Sequence, residues 1–187
     1  MKIKIYFYLF ILLIVSGCTT ADVYKKPCVD FSKYFKIAVV GFSCLPNPTV
    51  GQEVADIVAL EFLKQGYNVI ERSQLRHMLQ EEKLKQVGLT EETKSVLRLS
   101  GISALIMGSV SRYDCRPSRT IVPFMGTYIP MNTSDCHASL SLKMLDVQTG
   151  QVIWAANGSH SQNAVNMTSS KVLRQVINII SQQIPTK

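Results

Sequence analysis

The sequence predicts a single α/β domain, in which a mixed, mainly parallel sheet is flanked by helices and carries a C-terminal β-hairpin and a packing helix. Two short apolar runs rich in β-branched residues, 36–42 and 104–110, are typical of buried strands. Apolar and polar residues alternate over 139–146, and a turn joins this run to a second strand-like run at 151–159. Because a strand that returns after a helical crossover lies parallel to the first, the early strands should be parallel and the hairpin antiparallel.

The first seventeen residues predict a signal peptide rather than a structural element. Lys2 and Lys4 precede an apolar run over 5–15, and small polar residues follow, which is the order of a secretory signal. A helix of about eleven residues rises only about 16 Å, against roughly 30 Å of hydrocarbon in a bilayer, so a spanning helix is a poor fit. The stretch Val15-Ser16-Gly17-Cys18 resembles the lipobox of bacterial lipoproteins.

The lipobox resemblance implies that residues 1–17 are removed and that the Cys18 thiol is acylated, with palmitate as the expected kind of chain. The alternative is a plain secretory peptide whose cysteine is incidental. In lipoproteins of this type the next residue sorts the product, and Thr19 is typical of retention at the outer membrane. We therefore expect a protein anchored by lipid to the bacterial outer membrane and facing the periplasm.

The chain after cleavage is long enough for one domain with a real core, since removing residues 1–17 leaves 170 of 187. Residues 18–35 show scattered charge and no sustained period, which predicts a lipidated tether, and the domain is expected over 36–184. Loss of two lysines reduces the net charge from +7 to +5, which is typical of a solvated surface. Attraction to anionic head groups or acidic cell-wall polymer is the alternative, and an exported protein is not expected to bind nucleic acid.

Helices are predicted between and after the strands from apolar residues at helical spacing. The first covers 51–65, and a strand follows at 67–70. Ser73 is expected to cap a second helix, and Thr90 a third over 91–99. Residues 169–183 carry a wide apolar stripe, which predicts the helix that packs on the sheet.

Two of the four remaining cysteines bracket a proline-rich segment. Cys115 and Cys136 lie at the ends of a predicted loop insertion over 114–138, and an even number of cysteines in an oxidising compartment favours disulfides. A bridge at this position would stabilise the fold by about 3 kcal/mol in the chain-entropy model.

The other two cysteines, Cys28 and Cys44, form the predicted second bridge because they are the pair left over. Metal binding by Cys136 and the adjacent His137 is the rival interpretation. No second pair of ligands stands at a zinc-like spacing in the sequence, so no metal is expected.

Several motifs together resemble the CsgG-like family of bacterial outer-membrane lipoproteins. They cover residues 36 to 183 in the order that the family has, which implies the family's α/β fold. The motifs are IAVVGF at 37–42, VIERSQL at 69–75, LQEEKLKQVGL at 79–89, ISALIMGSV at 102–110 and LKMLDVQTGQVIWAANGS at 142–159.

The best-known type in this family is the curli secretion channel, a ring in which each protomer adds two membrane-crossing hairpins. Such a hairpin needs two strands of about 9–11 residues. Here the first slot, 114–138, is just long enough, whereas the second, 160–167, is too short. The resemblance thus implies a non-enzymatic assembly or interaction component of the cell envelope, acting in curli-type secretion. The alternatives are an oligomeric channel subunit that inserts one β-hairpin per protomer, and an activator of cell-wall-building enzymes.

The predicted loop also supplies the candidate contact with envelope protein partners, because exposed apolar groups rimmed by polar ones often mark interfaces. The alternative is that the loop folds over the edge of the sheet. The candidate contact residues are Ile121, Val122, Phe124, Met125, Tyr128, Ile129 and Met131.

The sequence shows no arrangement of catalytic residues, so no enzyme and no cofactor are expected. Three histidines, His77, His137 and His160, are scattered with no nucleophile pattern around them. Residues 41–51 lack the lysine of a P-loop and the glycine spacing of a dinucleotide site. The expected partners are the outer membrane through the lipid, envelope proteins, and further copies of the chain in a homo-oligomer.

Overall fold

The computed structural model describes residues 18–44, 47–70, 74–75 and 90–186, apart from the side chains of Cys18 and Glu92. Within these ranges the chain forms one α/β domain with a seven-stranded mixed sheet, so the predicted fold class is confirmed. A short 3-10 helix occupies Phe31–Lys33. The main elements are β1 (Cys18–Lys25), β2 (Lys36–Val39), β3 (Ser43–Cys44), α1 (Pro48–Lys64), β4 (Asn68–Ile70), α2 (Glu91–Leu99), β5 (Ala104–Phe124), β6 (Thr127–Asp146), β7 (Val152–Ala164) and α3 (Ser169–Ser181).

The sheet has a parallel half and an antiparallel half that meet at β5. Its strand order is β1-β7-β6-β5-β2-β4, and β3 pairs with β5 beside β2. The pairs of β2 with β4, β2 with β5 and β3 with β5 are parallel and short, because a helix or a turn follows each strand closely. The pairs of β5 with β6, β6 with β7 and β7 with β1 are antiparallel and much longer. The antiparallel half therefore dominates the sheet.

The predicted tether over 18–35 is wrong at its start, because residues 18–25 form strand β1. Eight consecutive residues of this strand pair with β7, from Cys18 opposite Ser161 to Lys25 opposite Trp154. The pairing satisfies backbone groups that the edge of β7 would otherwise leave open. Because β1 and β7 are more than a hundred residues apart in sequence, no periodicity of apolar residues within residues 18–25 could predict this strand.

Helix α1 starts three residues earlier than the apolar spacing predicts because of its cap. The side chain of Asn47 accepts a hydrogen bond from the backbone N–H of Thr49, and Pro48 occupies the first turn, where a missing N–H costs nothing. The inward face buries the predicted stripe. Val54, Val58 and Phe62 are each at most 2% exposed.

The two faces of the sheet carry separate cores. The larger lies under α1 and α3, with Trp154 at its centre. The smaller lies under α2, whose bounds agree with the prediction and where Leu97 packs with Leu105 and Val147. The helix predicted from Ser73 falls outside the described residues, except for Gln74 and Leu75.

A hydrogen bond ties the segment after β1 to the turn between β6 and β7. The Tyr34 hydroxyl donates to Oδ2 of Asp146 at 2.7 Å, and the N–H of Thr149 donates to Oδ1 at 2.8 Å. Burial alone would raise the pKa of Asp146, but these hydrogen bonds outweigh it and hold the pKa below its ordinary 3.8. Burial and the neighbouring carboxylate raise the pKa of Tyr34 to about 12.

Tyr34→Phe should therefore reduce the free energy of unfolding at neutral pH by about 1 kcal/mol. This is the value of a hydrogen bond to a charged group, lowered because Asp146 is partly exposed to solvent. A carboxylate with a lowered pKa contributes its stability above the ordinary pKa and loses it as the pH falls through the lowered one. The deficit should thus shrink between pH 7 and a pH below 3.8 in urea unfolding curves. Tyr24→Phe, on the exposed face of β1, is the control and should have no such deficit.

Candidate functional site

Strands β5 and β6 continue well past the rest of the sheet. The pairing of β5 with β3 ends at Val110, and the pairing of β6 with β7 ends at Ser134, opposite Ala164. Beyond these points residues 118–124 and 127–133 pair only with each other, and we call this hairpin the ribbon. At about 3.3 Å per residue it projects roughly 23 Å. The segment 114–138 is thus a regular β-hairpin and not the loop that its prolines predict.

The end of the ribbon is a two-residue turn made by Met125 and Gly126. Both have positive φ, +47° and +78°. Positive φ at both central residues is what the hairpin turn of type I′ requires, and a glycine accepts it without steric cost. The hydroxyl of Thr127 donates to the carbonyl oxygen of Phe124 at 2.7 Å and closes the turn.

A disulfide between Cys115 and Cys136 links the two strands at the base of the ribbon. This is the pair that the sequence favours. Cys136 is fully buried under α3, and the hydroxyl of Ser169, at the start of that helix, donates to Sγ of Cys115 at 3.2 Å. The predicted bridge between Cys28 and Cys44 is wrong: both are free thiols, since Cys44 is buried in the main core whereas Cys28 lies on the surface.

Removing the disulfide by the double substitution Cys115→Ser and Cys136→Ser should reduce the free energy of unfolding by about 3 kcal/mol. It should also speed trypsin cleavage after Arg119, because the base of the ribbon can then open. Both effects are measured on the purified chain, by urea titration and by timed digestion. Cys28→Ser is the control and should change neither, and equal digestion rates for the wild type and the double variant would contradict the proposed stiffening.

The three prolines of the ribbon region occupy positions where a strand can tolerate them. The Cα atoms of Cys115 and Cys136 are 4.1 Å apart, a separation typical of a non-hydrogen-bonded pair in an antiparallel ladder. Such pairs recur at every second position, and Pro117, Pro123 and Pro130 all share that phase. Their nitrogens therefore point away from the partner strand, so the ladder loses no donor.

Both faces of the ribbon tip are apolar. Every residue from Arg119 to Asn132 is exposed. By strand alternation and register, one face carries Val122, Phe124, Ile129 and Met131, and the face on the side of α3 carries Ile121, Pro123, Tyr128 and Pro130. Met125 at the turn is 90% exposed, Tyr128 78% and Ile121 65%. The predicted contact residues therefore lie together on one exposed tip, and the alternative of a loop folded over the sheet edge is excluded.

Charged side chains are confined to the base of the ribbon. Asp114 lies between two arginines, at 3.4 Å from Nε of Arg112 and 3.7 Å from Nε of Arg116. On the neighbouring strand Nε2 of His137 lies 3.4 Å from Oδ2 of Asp135. Between this group and the apolar tip the only charged residue is Arg119, which is exposed.

The residue predicted to carry the lipid lies at the same end of the sheet as the ribbon. Cys18 begins β1 opposite Ser161 of β7. Ser161 in turn lies opposite His137 of β6, and His137 opposite Asp114 of β5. Cys18 therefore lies in the row of residues from which the ribbon projects.

The features that the sequence analysis missed are β1 and the continuity of the ribbon. A signal for the ribbon is present, because Val122 and Phe124 before the turn and Ile129 and Met131 after it lie at spacings of two residues. The prolines obscured this signal. Their common phase becomes visible only once the register is known.

The described part of the chain holds no group of three or more His, Cys, Asp or Glu side chains placed to bind a metal ion. Within the same residues no helix is long and apolar enough to cross a membrane.

Comparisons with known proteins identify the family. The model of the family described as "Curli production assembly/transport component CsgG" matches residues 20–183. The chain belongs to this family. The match includes residues 20–25 of β1 and the ribbon as well as the motifs that carry the sequence resemblance. None of the curated proteins compared with the chain matches it by sequence.

Solved structures with the same fold include two CsgG-like proteins. The PelC dodecamer from Paraburkholderia phytofirmans has 15% identity and a TM-score of 0.59, over 91% of this chain and 100% of that one. A single-site variant of the same dodecamer has 16% identity and a TM-score of 0.61 over the same shares. Lipoprotein GNA1162 from Neisseria meningitidis has 18% identity and a TM-score of 0.51, over 80% of this chain and 96% of that one. At these identities the likeness shows the fold, and the family places the chain among envelope-associated secretion components.

Proposed function

We propose that the chain is a non-enzymatic lipoprotein of the bacterial outer membrane that faces the periplasm and serves as an assembly component in curli-type secretion. Residues 1–17 are removed as a signal peptide, Cys18 is acylated, and the tip of the ribbon is the contact with other parts of the envelope. The observation that carries this proposal is that Cys18 and the ribbon lie at the same end of the sheet. The family match supports the role in secretion.

We further propose that the protein works as a homo-oligomer. Support comes from the two PelC structures, which are dodecamers and have the fold of this chain over 91% of its length. Native mass spectrometry of the lipidated protein in detergent measures the number of copies directly. A ring of defined size supports this part of the proposal, and a monomer at micromolar concentration contradicts it.

The anchoring is tested by Cys18→Ser in the full chain, produced in a bacterium with an outer membrane and labelled with radioactive palmitate. The wild type should carry the label and separate with the outer membrane, whereas the variant should be unlabelled and keep residues 1–17. Cys28→Ser is the matched control and should keep both the label and the location. Recovery of unlabelled wild type from the cytosol would contradict the proposal.

A channel subunit that inserts one hairpin per protomer is the second candidate. The lengths of β5 and β6, 21 and 20 residues, favour it, since both exceed the 9–11 residues of a membrane-crossing strand. The prolines weaken it, because hairpins that pair side by side need backbone donors on their outer edges. Planar bilayers distinguish the two, since only a channel conducts ions.

A further inference from the structure

We propose that the tip of the ribbon inserts into one leaflet of a lipid bilayer as a second, unpaired anchor, rather than binding a groove on a protein. This inference rests on the proposed function and names the partner of the ribbon as lipid. It concerns the turn and the five paired positions below it, from Thr120 opposite Met131 to Phe124 opposite Thr127.

The first argument is that the tip is apolar on both faces. A hairpin that docks on a protein buries one face and leaves the other in water, so that only one face needs apolar side chains. Here each face carries four apolar residues, and the most exposed side chain, Met125, is at the extreme end. Lipid surrounds an inserted segment on all sides and therefore buries both faces at once.

The second argument concerns the edges of the ribbon, which are the usual obstacle to placing a strand in lipid. Each unpaired backbone group costs several kcal/mol in hydrocarbon. Between Thr120 and Met131 the nitrogens that point outward belong to residues 121, 123, 128 and 130, and two of these, Pro123 and Pro130, carry no hydrogen. The prolines thus halve the number of unpaired N–H donors along the two strand edges, with one proline on each edge. Because Pro123 and Pro130 offer no N–H on these edges, they also prevent a second hairpin from pairing along either edge.

The third argument is the length of the apolar part. Five paired positions span about 16 Å along the strands, roughly half of a 30 Å hydrocarbon core. Arg119 and Asn132 follow at the next position, where the side chains would meet the head groups. This length suits one leaflet and is too short for a span.

The fourth argument is the position of Cys18. The row of paired residues that contains Cys18 reaches β5 at Asp114, six residues before Thr120, which is about 20 Å along the strand. Strand β1 lies about 12 Å to the side of the ribbon. If the strands tilt by about 45° so that the tip leans away from β1, Cys18 comes within about 6 Å of the level of Thr120, and the inserted tip is about 11 Å deep. Acyl chains on Cys18 and the ribbon tip can then enter the same leaflet.

The test uses residues 18–187 with Cys18→Ser, so that neither an acyl chain nor the apolar run over 5–15 contributes, and large vesicles of phosphatidylcholine containing about 30% phosphatidylglycerol. Two double variants address one face each: Phe124→Glu with Ile129→Glu, and Ile121→Glu with Tyr128→Glu. Leu99→Glu is the matched control, because Leu99 is 89% exposed on α2, away from the ribbon. Binding is measured by vesicle flotation, and circular dichroism confirms that each variant folds.

The Cys18→Ser chain should float with the vesicles, each face variant should lower the partition coefficient at least about 10-fold, and Leu99→Glu should change it less than about 2-fold. In addition, Tyr128→Trp should show a blue shift on binding and quenching by brominated lipid chains. Loss of binding in only one face variant would overturn the inference, because the ribbon would then lie on the bilayer surface with its other face in water. Absence of flotation, or steady ion conductance, would also overturn it. None of these results depends on acylation, so failure here is distinct from failure of the lipoprotein proposal.

Discussion

Replacing Trp154 by alanine is expected to reduce the free energy of unfolding by about 3–5 kcal/mol, because the largest side chain of the core would leave a cavity. Trp154 is fully buried near the start of β7, where α1 and α3 both cover the sheet. Its ring meets Phe62 of α1 edge-on, with 6.1 Å between the ring centroids and an angle of 88°. Its Nε1–H donates to the carbonyl oxygen of Gln183 at 3.2 Å, just beyond the end of α3.

The loss is a large part of the 5–15 kcal/mol that a domain of ordinary stability possesses. The measurement is a urea titration followed by circular dichroism, since Trp154 is the single tryptophan and the variant has no indole fluorescence. Trp154→Phe is the matched control and should lose about 1–2 kcal/mol, because it retains a ring against Phe62 but not the hydrogen bond. If Trp154→Ala lost less than about 1.5 kcal/mol of unfolding free energy, the packing of α1 and α3 on β7 would not depend on the Trp154 side chain.

The elements that the sequence predicts correctly are those whose cause lies within a few residues. Helix α2 begins and ends where expected because Thr90 caps it, its side chain accepting from the N–H of Thr93. Strand β5 begins at Ala104 as its apolar run indicates, and the turn from Asp146 joins β6 to β7. Local composition also favours the disulfide partners, since Cys115 and Cys136 bracket one segment.

The elements that the sequence analysis misses depend on a partner that is distant in sequence. Strand β1 exists because β7, more than a hundred residues later, offers an open edge. The bridge assumed between Cys28 and Cys44 fails because burial of Cys44 is decided by the packing of α1, not by the number of cysteines. Elimination is therefore a weak guide to a second disulfide.

The ribbon shows how a residue type can mislead when its position in the ladder is unknown. Proline removes a backbone donor, and three prolines in one segment argue against a strand if every donor is needed. In an antiparallel pair only every second residue directs its N–H to the partner. Pro117, Pro123 and Pro130 all occupy the other phase, so the same residues that suggested a loop now define the unpaired edges of a hairpin.

Gly51 should not tolerate alanine, although alanine is the better helix former by about 1 kcal/mol. Gly51 is buried in the first turns of α1, where the helix passes over the loop between β2 and β3. A Cβ at this position would lie 2.0 Å from the carbonyl oxygen of Phe42. That oxygen belongs to the backbone, so no side-chain rotation can relieve the contact, and either α1 or the loop must move.

Gly51→Ala is therefore expected to reduce the free energy of unfolding by about 3 kcal/mol, at the upper end of the usual cost of overpacking. The adjacent Gln52→Ala is the control: Gln52 is exposed on the same helix, and its replacement should change stability by less than about 0.5 kcal/mol. Both are measured by urea titration at one protein concentration. Helix propensity and steric contact predict opposite signs for Gly51→Ala, so a stabilised variant would show that α1 does not approach the backbone of Phe42 this closely. A destabilised variant with an unchanged Gln52→Ala control would show that α1 lies against the backbone of the loop with no room for a Cβ at position 51.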